Sequence, residues 1–191
     1  MSEGYSDIPH TTYNEWKMNT IGHEYDLDGT YGCQCWDYAS LFWRNVGFPT
    51  GYPMTGPLQY AYQCWTVSRF QNASYNGNTY FDLIEGIIEV KQGDVLVFEG
   101  TTANPPGHIT FADEDYNGTG YIWCVGQNQG GSPIPSGGTA VTRNNLAITG
   151  FLGAFRYKPW HETPPSPSSK SKNKFPWVLY ARRLNQRRNM I

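Results

Sequence analysis

The sequence predicts an α+β domain of 191 residues, with N-terminal helices packed on an antiparallel β-sheet. Two patterns carry that expectation. Cys35, Ala39, Phe42, Trp43 and Val46 recur at the spacing of one apolar helical face, and Gly47 then stops the run. Further along, short stretches of β-branched and aromatic residues alternate with Gly, Pro and Asn, as strands and turns do. Ahead of the sheet, Leu58–Trp65 reads as helical. Lys91-Gln92-Gly93-Asp94 reads as a turn that opens a strand over Val95–Phe98. Pro105-Pro106-Gly107 is a second turn, delivering His108 to the first position of a strand through Phe111. A third strand runs from Tyr121 to Asn128 and ends before a Gly/Ser/Pro loop.

The richest chemistry lies just before the first helix, in Asp26-Leu27-Asp28-Gly29-Thr30-Tyr31-Gly32-Cys33-Gln34-Cys35-Trp36-Asp37. Cys35 falls at the helix N-terminus, where unpaired N–H groups and the helix dipole favour a thiolate. A nucleophilic thiol needs a base and a group to aim that base. Of the four histidines, only His108 has a turn glycine before it and a strand after it, whereas His10, His23 and His161 lie in unpatterned, loop or linker segments. Period-2 alternation places residues 126 and 128 on one strand face, so Asn128 is expected to point at the site as the acceptor that orients His108. Asp26, Asp28 and Thr30 fall at alternate positions, and Asp37 returns a third carboxylate. With the backbone carbonyls of Thr30 and Gly32, that is a hard-cation loop. Cys33 reads as turn filler, too close to Cys35 for an unstrained bridge, and Cys64 and Cys124 read as buried thiols. A zinc site is not expected, because no Cys-x₂-Cys pair with matching partners exists.

These residues resemble a known family. Asp-x-Asp-Gly-x-Tyr-Gly-x-Gln-Cys-x-Asp, Gln-Gly-Asp-Val-x-Val-Phe, Gly-His-Ile and the Gln-Asn strand end occur in the order found in CHAP domains, the cysteine, histidine-dependent amidohydrolases/peptidases. The likeness is greatest to the CHAP domains of phage endolysins acting on Gram-positive walls. It implies a papain-like (NlpC/P60-like) fold over residues 1–160, with Cys35 as nucleophile, His108 as base, Asn128 as its orienting group and Gln34 as oxyanion donor. It also implies a structural Ca²⁺ on Asp26, Asp28 and Asp37. The substrate would be peptidoglycan, cut within the stem peptide or cross-bridge, or at the muramoyl-L-alanine bond. The sequence departs from the resemblance at Gly126, where such endolysins usually carry Glu. That departure keeps open a wall-binding or virion structural protein without activity. A thiol amidase acting on small peptide-like substrates is a third reading.

Composition fits this picture. Aromatic residues make up 16% of the chain, and Trp36, Trp65 and Trp123 are candidates to line a substrate groove, although tryptophans more often fill cores. No apolar run is long enough to span a membrane and no secretory signal is visible. The expectation is therefore synthesis in a bacterial host's cytoplasm, then holin-type release or carriage in a virion. A Pro/Ser/Lys-rich linker is predicted over 161–174, followed by a short basic, aromatic tail over 175–191. The last 22 residues hold seven basic groups and no acid, leaving residues 1–169 at a formal charge of −9. Such a tail suits an anionic wall polymer or membrane surface. No nucleic-acid partner is expected.

Overall fold

A computed structural model describes residues 8–129 and 137–162. The helices are α1 (Tyr13–Thr20), α2 (Cys35–Asn45), α3 (Gln63–Thr66), α4 (Arg69–Ala73) and α5 (Lys158–His161). A small hairpin pairs β1 (Ser74–Tyr75) with β2 (Asn78–Thr79). The main sheet contains β3 (Phe81–Ile84), β4 (Val95–Phe98), β5 (His108–Ala112), β6 (Tyr121–Gly126), β7 (Thr142–Ala147) and β8 (Phe151–Tyr157). Its order is β3-β8-β4-β5-β6-β7, with every neighbouring pair antiparallel. This is the predicted α+β arrangement. The linker expected to start at residue 161 begins inside α5, and from residue 163 onward linker and tail lie outside the described residues.

The sheet is covered on both faces, which is why β4 is buried at every position. On one face α2 lies across the strands. Its Phe42 meets Phe111 edge-on at 5.2 Å and Tyr157 at 5.3 Å, and Trp43 stacks on Phe81 at 4.6 Å. Trp16 of α1 and Tyr38 of α2 complete this aromatic layer at 0% exposure, worth roughly 3–5 kcal/mol for each such ring by the usual large-to-alanine cost. On the other face Leu96, Ala112, Ile122, Cys124 and Ala154 form a thinner core under Ile87, Tyr116 and Ile148. α5 closes the first layer, with the Trp160 ring 4.7 Å from Phe42 and its indole N–H donating to the His10 carbonyl at 2.8 Å.

Two buried carboxylates lock strands together. Asp94, 0% exposed, accepts from Arg156 Nε and Nη2 at 2.9 and 2.8 Å and from the Lys91 N–H at 2.9 Å, tying the turn before β4 to β8. Asp113 accepts from Tyr13 at 3.0 Å, from Lys17 at 2.6 Å and from Arg143, joining α1 to the end of β5 and to β7.

Candidate active site

Cys35 is the first residue of α2, and Gln34 is its N-cap. The helix starts there because Asp37, at the third helical position, folds its carboxylate back to the cap. Oδ2 accepts from the Gln34 N–H at 3.0 Å, and Oδ1 accepts from the Leu27 N–H at 2.9 Å. One buried side chain therefore ties the acidic loop to the turn that carries the thiol. The loop itself is built from Asx turns, with Asp26 accepting from the Gly29 N–H at 2.9 Å and Asp28 from the Thr30 N–H at 2.7 Å. Behind it, Cys33 pairs backbone to backbone with Gly138, and its N–H donates to the Gly137 carbonyl at 2.9 Å. A Cβ on Gly32 would strike the Gly137 backbone and one on Gly138 would strike Cys33, so only glycines allow this approach.

His108 opens β5 as predicted, after Gly107 at φ 71°. A Cβ on Gly107 would lie 2.5 Å from the Phe98 carbonyl, so the turn needs glycine for space as well as for φ. α2 packs on β5, and the Cys35 thiol meets the backbone N–H of Ile109, the residue after His108. Thiol and imidazole thus come from adjoining ends of two packed elements.

Both residues are half-buried, and desolvation dominates their protonation. Desolvation pushes the Cys35 thiol up to about 11, the N–H groups of Ile109, Trp36 and Cys35 offset only part of this, and Asp37 adds to it. The sequence argument for a thiolate at the helix terminus is therefore outweighed here by burial. Desolvation also pushes the His108 imidazole down to about 4, partly countered by the nearby Gln129 side chain. At neutral pH both groups rest uncharged.

The amides behave differently from expectation. β6 ends at Gly126 rather than running on to residue 128, and Asn128 adopts a left-handed φ of 52°. Alternation along the strand therefore does not aim it. Asn128 Nδ2 donates to Gln34 Oε1 at 2.7 Å, and Gln34 Nε2 donates to the Tyr31 carbonyl at 2.7 Å. Asn128 Oδ1 and His108 Nε2 are both buried with no aligned hydrogen-bond partner among the described residues. Gln127, which the sequence reading passed over, is 0% exposed. It accepts from the Tyr25 N–H at 3.0 Å and donates to the Tyr25 and Gln34 carbonyls at 2.8 and 3.1 Å. It staples the end of β6 to both sides of the acidic loop.

This geometry has known relatives. The CHAP domain family profile matches residues 24–128, from the acidic loop to the amide pair. The chain belongs to the CHAP domain family. It is 38% identical over 124 residues to the "D-alanyl-L-alanine endopeptidase" of Streptococcus phage B30, a match covering 63% of this chain and 25% of that protein. The chain thus spans about a quarter of that relative's length. Among solved structures, the wild-type endolysin LysIME-EF1 superposes with a TM-score of 0.55 at 22% identity, over 83% of this chain and 66% of that one, a likeness of fold.

The remaining expected site residues of this CHAP domain divide into two groups. Asp26, Asp28 and Asp37 come together, their ligand oxygens all within 4.8 Å of one another. Burial and the adjacent Asp28 and Asp26 charges push the Asp37 carboxyl up to about 7, despite the Leu27 and Gln34 N–H donors. Three crowded oxygens that repel one another fit a hard divalent cation, and Thr30 and Gly32 lie in the same loop with carbonyls to offer. The tryptophans are not gathered at the thiol. Half-buried Trp36 donates its indole N–H to the Pro53 carbonyl at 3.0 Å, which anchors the loop after α2. Trp123 is mid-strand on β6 beneath the Arg143 guanidinium, 4.0 Å away, and Trp65 is core, 4% exposed. Cys33, Cys35, Cys64 and Cys124 are all free thiols, and His23 is exposed.

Proposed function

We propose that this CHAP domain is a peptidoglycan hydrolase that cleaves an amide bond of the bacterial wall by cysteine catalysis. The observation carrying this reading is the meeting of the Cys35 thiol, first in α2, with the start of β5, where His108 stands. His108 takes the thiol proton as sulfur attacks the amide carbonyl, then gives it to the departing amine. The Cys35 thioester that remains is hydrolysed by a water that His108 activates in turn. The N–H of Cys35 is among the unpaired donors at the helix start, and Gln34 Nε2 has a second N–H besides the one given to Tyr31. Together they supply an oxyanion hole. Asn128 Nδ2 donates to Gln34 Oε1 at 2.7 Å, which holds that donor's carboxamide in place.

Asp26, Asp28 and Asp37, with the carbonyls of Thr30 and Gly32, hold a calcium ion in this reading. Bound calcium supplies loop rigidity and charge neutralisation rather than a reacting group, because Asp37 already links the loop to the nucleophile's cap. The phage relative's name favours an endopeptidase over a muramoyl-L-alanine amidase. Action on the wall after holin-type release or from a virion, and contact of the basic tail with an anionic wall polymer or membrane surface, complete the proposal. No described helix is long and apolar enough to cross a membrane.

Digestion of purified Gram-positive peptidoglycan tests the reaction. New amino termini within the stem peptide or cross-bridge, identified by end-labelling and mass spectrometry, are expected. Release of free muramoyl ends would point instead to the amidase. Binding of walls without any new termini would return the non-catalytic reading, which Gly126 favours.

A further inference from the structure

Gly126 removes a side chain from the face of β6 that looks across at β5, and the structure fills that space from elsewhere. A Cβ at 126 would lie 2.6 Å from Thr110 Oγ1 and 3.2 Å from Gln129 Cδ. The Gln129 carboxamide has folded back over the glycine and is 6% exposed.

Its orientation is determined by its partners. Nε2 donates to the Thr142 carbonyl at 2.8 Å and to the Cys124 carbonyl at 3.3 Å, which uses both N–H groups. Flipping the amide would set its oxygen against two carbonyl oxygens, so Oε1 has to face β5. There it accepts from Thr110 Oγ1 at 2.7 Å. Thr110 and His108 are two residues apart on one strand and share a face. The backbone is held as well, since the Gln129 carbonyl accepts from Asn144 Nδ2 at 2.8 Å.

We infer that Gln129 is the positioning residue of His108, its carboxamide oxygen standing where a carboxylate borne by residue 126 would otherwise reach the imidazole. The kinetic arm of this inference rests on the hydrolase reading above; the binding geometry does not. A neutral acceptor fixes the ring without stabilising imidazolium as strongly as a carboxylate does. The influences on His108 are desolvation and Gln129, with no charged neighbour among them. Gln129 thus aims the base and leaves it weak.

The test follows His108 by NMR in the full chain. In wild type, the Gln129 side-chain NH₂ resonances should shift with the same midpoint as the His108 ring protons. Gln129→Glu should raise that midpoint by about one unit or more, the usual effect of a carboxylate beside a cation. It should also move the acid limb of the wall-clearing rate to higher pH. Gln129→Met should lower the midpoint and slow clearing by up to about a hundredfold, the lower end of what general-base catalysis contributes. A purely structural Gln129 would change thermal stability and leave both midpoints where they are. Gln129 NH₂ signals that ignore the His108 titration in wild type would overturn the inference without any variant having to fold. An inactive wild type whose NMR titration behaves as described would sink the hydrolase reading and leave the positioning role standing.

Discussion

The two sides of the site are built from opposite materials. On the nucleophile's side three carboxylates crowd into one loop, and one of them, Asp37, is 1% exposed and clamps the helix cap. On the base's side Thr110 and Gln129 pack over Gly126, and Gln129 bears on His108, all of them uncharged. Charge is concentrated where a loop must be held in shape, and it is kept away from the imidazole that must stay unprotonated. Burial first, and then repulsion from Asp28 and Asp26, raises the Asp37 carboxyl. The amides contribute direction without adding to basicity.

Breaking either side should have graded consequences. His108→Ala removes the base itself, and wall clearing should fall about a thousand-fold or more while thermal unfolding stays close to wild type. Asp37→Ala removes the acceptor of two backbone N–H groups at the nucleophile's cap. It should destabilise by roughly 1–3 kcal/mol per unmet donor and cut clearing along with it, measured by thermal unfolding and turbidity on the same sample. Calcium at a hundredfold excess over its dissociation constant should stabilise by about 2.7 kcal/mol, and chelation should reverse that gain. Asp28→Asn should weaken the response, and an unfolding temperature indifferent to calcium would remove the cation from the account. The pH profile is a finer test of the neutral side. Because burial holds His108 down to about 4, its base form persists as pH falls past the ordinary histidine range. The His108-linked loss of clearing rate should come only as pH falls through that lower value. Smallest of all, His23→Ala should change nothing measurable, since that exposed ring lies outside both sides.

What could be read in the sequence was whatever a local pattern encodes. The periodic face from Cys35 to Val46 gave α2 and its start, and the Pro-Pro-Gly turn put His108 first on β5. α1 escaped because only Tyr13, Trp16 and Thr20 of its eight residues are buried, too few for a stripe. β7, Thr-Arg-Asn-Asn-Leu-Ala, alternates in burial but not in polarity, so no hydrophobic pattern marks it. Gln127 and Gln129 were illegible for a different reason. Their roles depend on the chain leaving the strand at Gly126 and on which carbonyls β7 and the acidic loop bring within reach. The helix-start dipole that favours a thiolate acts within one turn, and at half-buried Cys35 it is opposed by desolvation, which pushes the thiol up.

The central claim is that Cys35, and neither its neighbour Cys33 nor wall binding alone, performs the reaction. Clearing of purified walls by wild type, Cys33→Ser and Cys35→Ser, with released amino groups counted in parallel, tests it most directly. The account predicts full clearing by wild type, near-wild-type clearing by Cys33→Ser, and no amine release by a folded Cys35→Ser. Amine release by Cys35→Ser at the wild-type rate would contradict it.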